Sequence, residues 1–187
     1  NDFSDRVIAA MAEVPSVCEH VHLPMQSGST RTLKRMLRRY TREGYLDCVA
    51  RLRAAIPGLA LTTDVIVGFP GETEEEFEAL LELLEEIRFD HLGAFAYSEE
   101  EDTAAATMAG QVPEAVRRER LERVLDLQRA IGLEKNEARV GTRATVLVDH
   151  VDDEGATGRG AWQAPEVDGV VRIERAPGLR PGDFVDV

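Results

Sequence analysis

Three stretches of the chain hold residue types suited to gripping a small polar ligand, and each begins where an apolar run ends. The run 59–67 passes into Gly68-Phe-Pro-Gly-Glu-Thr73. Gly68, Pro70 and Gly71 shape a tight turn, and a main chain without Cβ atoms can lie close against a ligand. Thr73 is placed to cap the next helix, with Glu74, Glu75 and Glu76 complementing the positive end of its dipole. A tight strand-to-helix turn with no ligand is the alternative use of the same residues. The second stretch is His20-Val-His-Leu-Pro24 running into Met25-Gln-Ser-Gly-Ser29. The third is 91–97 running into Ser98-Glu-Glu-Glu-Asp102.

Helices must lie between these strands, and the pattern predicts them over 30–39, 43–55 and 74–88. Strands alternating with helices predict a parallel sheet, and the near-continuous apolar character of 59–67 suits a strand covered on both faces. Ligands of such sheets and barrels sit at the carboxyl ends of the strands. Polar residues at three such ends therefore predict a common rim. A short amphipathic helix over 6–14 precedes the first strand.

Composition narrows the classes. At 187 residues the chain has room for one or two domains with real cores. No stretch reaches the apolar length of a membrane span, and no secretory signal opens the chain. Cys18 and Cys48 are its only cysteines, which argues against a disulfide-stapled secreted fold and for a reducing cytoplasm. The net charge of −13 is poorly suited to non-specific nucleic-acid binding, which depends on cations that displace counterions. A protein partner or a small anionic ligand fits better.

The composition shifts near Val140. Before it, Pro113 opens a long charged helix with Val116, Leu121, Val124, Leu125, Gln128 and Ile131 along one stripe. After it, short strands over 144–149, 155–159, 169–173 and 183–187 alternate with Asp-Asp-Glu-Gly and Ala-Pro-Gly turns. This predicts a small antiparallel barrel of the oligonucleotide-binding type. From Arg139 onward there are nine acids against six arginines, no lysine, and only Trp162 and Phe184 as aromatics. Such a surface stacks bases and holds phosphates poorly, so RNA is disfavoured as its partner. The expected organisation is a partial α/β barrel over 1–110, a connecting helix over 111–138 and a small β domain over 139–187. Three strand–helix units cannot close a barrel. The remaining strands are expected upstream or in another chain, and the last strand reads as one just beginning.

Four segments carry a family resemblance: His22-Leu-Pro-Met-Gln-Ser-Gly-Ser29, Met36-Leu-Arg-Arg-Tyr-Thr-Arg-Glu43, Asp64-Val-Ile-Val-Gly-Phe-Pro-Gly-Glu-Thr73 and Phe95-Ala-Tyr-Ser98. In order and spacing they resemble the later half of a radical S-adenosylmethionine (SAM) methylthiotransferase. The part from Val140 resembles the TRAM domain that follows the barrel in that family. Within it, Gly158-Arg-Gly-Ala-Trp-Gln-Ala-Pro-Glu-Val-Asp-Gly169 is similar to the branch that methylthiolates the β-carbon of an aspartate in ribosomal protein S-twelve. The other branch modifies a tRNA adenosine. The acidic small domain agrees with a protein substrate.

The resemblance implies SAM and two 4Fe-4S clusters in the whole enzyme. The family's Cys-x3-Cys-x2-Cys motif is absent from these residues, and Cys18 and Cys48, with 29 residues between them, do not replace it. The chain alone is therefore expected to be inactive and to contribute no catalytic residue, only part of the SAM pocket and a docking domain. A non-catalytic module that docks on a protein or RNA is the competing class.

The resemblance also assigns residues. Gln26 and Ser27 would face the ribose or methionine part of SAM, with turn capping as the alternative for Ser27. Arg38, on a row with Arg31, Lys34, Arg35 and Arg42, would hold the SAM carboxylate; the rest of that row reads as a solvated basic face. Ile66, Gly68 and Phe69 would pass beside the adenine. Glu72 orients the turn or, more simply, caps the helix. Asp64 must be paired inside its apolar strand, as a barrel-interior group near the site or as a structural ion pair. Tyr97 and Ser98 would line the substrate entrance. Trp162 is either a docking anchor for the protein substrate or a lid on the small barrel. Cys18, His20 and His22 alternate along one strand face as zinc ligands do, but local sequence supplies no fourth ligand, and no metal site is assigned.

Overall fold

The computed structural model describes residues 3–174 and 177–187. The first half runs α1 (Asp5–Glu13), β1 (His20–His22), α2 (Thr30–Arg35), α3 (Arg42–Ala55), β2 (Ala60–Val67), α4 (Glu74–Ile87) and β3 (His91–Ala96). A 3-10 turn at Ala104–Thr107 leads to the long α5 (Glu114–Arg139). Strands β4 (Thr145–Asp152), β5 (Gly155–Gly160), β6 (Val171–Glu174) and β7 (Phe184–Asp186) follow.

Strands β1, β2 and β3 form a parallel sheet in that order, with Val21 opposite Leu61 and Asp64 opposite Gly93. Alternation divides β2 between two faces. Leu61, Val65 and Val67 join the core built with Phe77, Leu80, Leu84 and Ile87 of α4 and Leu52 of α3. Asp64 and Ile66 sit half-buried on the other face. The sheet is thus helix-covered on one side and open on the other, as one arc of a barrel is.

Local chemistry sets the helix ends. Thr73 and Glu76 form a full capping box at the start of α4, and Arg88 in the left-handed region ends it. The second helix is shorter than the predicted 30–39. It stops at Arg35, because Leu37 turns left-handed (φ 57°). Leu37 N–H then bonds to Lys34 C=O at 3.0 Å and Arg38 N–H to Leu33 C=O at 2.9 Å. This is the Schellman closure, made here with leucine where glycine is usual. Arg38 consequently lies beyond the helix rather than on its face.

The second half is a four-stranded antiparallel sheet in the order β6-β5-β4-β7. It bends where the register shifts between Val148 and His150, and Val146, Val148 and Ala156 are buried. Gly158 is required because a Cβ there would stand 2.3 Å from the Leu147 carbonyl oxygen.

Candidate functional site: the strand-end rim and the open sheet face

At the rim, Gln26 continues the sheet after β1 has ended. Its N–H bonds to Asp64 C=O at 2.8 Å, and its C=O accepts Ile66 N–H at 3.0 Å. It does so with φ at 67° and only 8% exposure, a left-handed conformation that costs energy for glutamine. Ser27 is buried, and its hydroxyl accepts Ser29 N–H at 3.3 Å. The hydroxyl is therefore engaged in closing its own turn. Gly28 lies against the α4 backbone, where a Cβ would approach Leu80 Cα to 2.4 Å.

Glu76 joins this loop to the turn after β2. It accepts Ser29 Oγ at 2.8 Å, Thr73 N–H at 3.0 Å, and both Arg31 and Arg35 at 3.4 Å. Burial pushes its carboxyl up, but the Thr73 and Ser29 bonds and the two arginines outweigh that and hold it below the usual range. Arg35 and Arg42 also depart from a merely solvated row: Arg42 Nη1 donates to Ala79 C=O at 2.7 Å, tying α3 to α4.

Gly68 has φ at 72°, as its turn requires. The space a Cβ would take is filled by Arg117 of α5, whose Cγ would lie 2.2 Å away. The glycine thus admits a side chain of the linking helix on that side. Arg117 Nη1 also donates to Tyr97 C=O at 2.5 Å. Glu72 orients the turn and does not cap α4; the Thr73–Glu76 box does that. Its Oε1 accepts Gly68 N–H at 2.8 Å and Arg120 Nη1 at 2.7 Å, in a fully buried pair. Phe69 packs edge-on against Tyr97, with ring centroids 5.4 Å apart, and Ser98 beside them is exposed.

The open face carries polar groups. His22 Nε2 lies 3.3 Å from Asp64 Oδ2, and His22 Nδ1 lies 2.9 Å from Thr62 Oγ1. Asp64 is therefore a face residue with a histidine beside its carboxylate. Beside them, His20 Nε2 and Gln128 Oε1 are buried without partners among the described residues. Both line a cavity of about 1010 Å³ with Asp64, Phe95 and Asp168. Burial lowers the His20 pKa, against the opposing pull of Asp168. Phe95 is exposed here, opposite Ile66 in register.

Arg38 lines a separate hollow of about 420 Å³ with Leu23, Tyr40, Tyr45 and Cys48. Trp162 lies over Gly160, where a Cβ would touch its ring at 2.4 Å, and the Arg139 guanidinium stands 4.7 Å from the ring centroid. Its loop reaches the amino ends of the parallel strands: His91 Nδ1 is 3.4 Å from Asp168 Oδ1, and Cys18 Sγ is 3.4 Å from Ala161 C=O. Tyr97 and Ser98 lie at the carboxyl ends. Trp162 is therefore not brought together with them. Cys18 turns to that carbonyl, and among the described residues no group of three His, Cys, Asp or Glu is arranged to hold a metal ion.

Arg117, Arg120 and Glu76 were not singled out as site residues from sequence. Arg120 carried one signal: it lies four positions before Val124 on the stripe that faces the core.

Residues 1–84 match the Radical SAM superfamily and residues 140–187 the TRAM domain. The chain is 44% identical over 190 residues to the ribosomal protein uS12 methylthiotransferase RimO of Desulforamulus reducens, across 100% of this chain and 43% of that protein. It is 53% identical over 148 residues to the tRNA-2-methylthio-N(6)-dimethylallyladenosine synthase of Moorella thermoacetica, across 79% of this chain and 33% of that protein. The synthase of that name from Mycolicibacterium vanbaalenii is 47% identical over 195 residues, across 98% and 37%. The chain spans less than half the length of these relatives. In fold it is similar to the radical SAM enzyme coproporphyrinogen III oxidase (HemN) of Escherichia coli, with a TM-score of 0.51 and 18% identity over 61% of this chain and 27% of that one. A helix-backed parallel sheet with a polar strand-end rim, followed by an antiparallel domain and matched along its whole length by such relatives, belongs to the radical SAM methylthiotransferase family.

Proposed function

We propose that this chain forms one side of the SAM pocket and the substrate-docking domain of an enzyme that methylthiolates an aspartate of ribosomal protein uS12. The observation that carries the choice of substrate is the charge of the small domain. Its strands and turns expose Asp152, Asp153, Glu154, Glu166, Glu174 and Asp186, which outnumber the exposed Arg143, Arg172 and Arg180, and Arg159 is taken up by Asp149. Neutralising phosphates needs free cations, whereas an acidic surface suits a basic ribosomal protein.

The open face fits SAM in kind. Ile66 and Phe95 offer apolar surface to an adenine beside the Gly68 main chain, and at the same strand ends Tyr97 Oη is a buried polar atom without a partner among the described residues. Gln26 would meet the ribose or methionine portion, and Arg38 the carboxylate. In this family SAM supplies a 5′-deoxyadenosyl radical. The residues do not fit an iron–sulfur cluster: Cys18 faces Ala161, and Cys48 lies on α3 in the Arg38 hollow. The cluster is accordingly assigned no ligand in this chain. Tyr97 and Ser98 would border the substrate entrance, and Trp162 would serve docking at the other end of the sheet.

A second reading, a tRNA adenosine methylthiotransferase, is favoured by the 53% identity to the tRNA-2-methylthio-N(6)-dimethylallyladenosine synthase. Binding separates the two. The protein carrying this chain is titrated with purified uS12 and with unmodified tRNA at physiological salt. Saturable binding of uS12 alone supports the first reading; salt-sensitive binding of tRNA alone supports the second.

A further inference from the structure

The turn after β2 is held by a residue outside the strand-end segments. Arg120 belongs to α5, the helix that leads into the small domain, yet it is 5% exposed beneath the turn after β2. Nη1 donates to Glu72 Oε1 at 2.7 Å and Nη2 to Glu74 Oε2 at 2.8 Å, and the guanidinium lies 5.1 Å from the Phe77 ring centroid. Glu72 passes this constraint on through the 2.8 Å bond from Gly68 N–H. Gly68 in turn follows Val67, whose C=O accepts Tyr97 N–H at 2.9 Å.

We infer that Arg120 is a positioning residue for SAM: by holding Glu72, it fixes the Gly68 peptide against which the adenine lies. The inference rests on the SAM reading above. A carboxylate as deeply buried as Glu72 stays charged only with a partner. Without the cation, the acceptor that orients the Gly68 N–H has no fixed charge and no fixed rotamer. The peptide then samples other orientations, and the cofactor meets a surface that is not preorganised. Arg117, which fills the space a Gly68 Cβ would take and bonds Tyr97 C=O, is unchanged in these variants.

The test uses the whole reconstituted protein with Arg120→Met and Arg120→Lys. Two quantities are read: SAM affinity by calorimetry, and amide exchange of the peptide containing Gly68. In Arg120→Met, exchange is expected to rise in the turn after β2 and not in α3 or β3. SAM affinity should fall about tenfold as the Gly68 peptide loses its preorganisation, with kcat within about twofold. Arg120→Lys should recover most of both. If Arg120→Met does not fold, Glu72→Gln carries the test, with the same local rise in exchange expected. Unchanged exchange and affinity in a folded variant overturn the inference, as does a uniform rise in exchange, which marks a general packing role. Failure of the unmodified protein to bind SAM overturns the underlying SAM reading, and the exchange pattern distinguishes that outcome.

Discussion

Ser29 and Glu76 join two loops that are 47 positions apart in sequence: Ser29 Oγ donates to Glu76 Oε1 at 2.8 Å. Ser29 also caps α2, and Glu76 completes the capping box of α4. One carboxylate thus holds the first two strand ends in register.

Glu76→Ala should therefore cost more than a surface substitution. The capping box is lost, and Ser29, Arg31 and Arg35 lose their shared partner, for about 2 kcal/mol in all. Urea unfolding of the wild-type and variant chains measures this. A change within about 0.5 kcal/mol, ordinary for a surface site, would show that the loops do not depend on Glu76.

Leu37 is 82% exposed and left-handed. Leu37→Gly removes a conformational penalty and little packing, so stability should rise by about 1 kcal/mol. A lower midpoint of thermal unfolding would contradict the assigned helix end.

These cases show what was legible. The turn from β2 into α4 was readable because Gly68, Pro70, Gly71, Thr73 and Glu76 act on their immediate neighbours. The end of α2 was not, because leucine in a Schellman position carries none of glycine's signal. The Arg120–Glu72 pair joins residues 48 apart and exists only once α5 packs on α4. Glu72 therefore read as a helix cap. Gln26 and Gly68 lie at strand ends, where the local pattern put them, whereas Trp162 lies at the opposite end of the sheet, in a loop held by Arg139, His91 and Cys18.

Trp162 is the only tryptophan in the chain, and Arg139 stands over its ring while also bonding Asp90 at 3.1 Å. Arg139→Ala should shift the emission maximum to the red as the ring gains water. Unchanged emission would show that Arg139 does not shelter it.

The pH dependence of stability follows from His20. Its pKa is lowered by burial, so the unfolded chain takes up the proton first. The stability associated with neutral His20 is complete above its unfolded pKa of about 6.5 and declines as pH falls through and below it. Asp90 acts in the same direction at lower pH. Burial pushes its carboxyl up, but Leu61 N–H, Lys135 and Arg139 hold it below the usual range, and its contribution is lost as pH falls through that depressed value. Thermal unfolding between pH 5.5 and 7.5 should show the decline, and His20→Gln should flatten it. An equal slope in the variant would assign the effect elsewhere.

Protein and tRNA substrates are told apart most directly by the modified product. The direct measurement reconstitutes the whole protein anaerobically with iron, sulfide and SAM, offers it uS12 and unmodified tRNA together, and reads both by mass spectrometry. A methylthio group on an aspartate of uS12, with tRNA unchanged, is the expected result. A methylthio group on tRNA adenosine would contradict it and show that the acidic small domain does not exclude RNA.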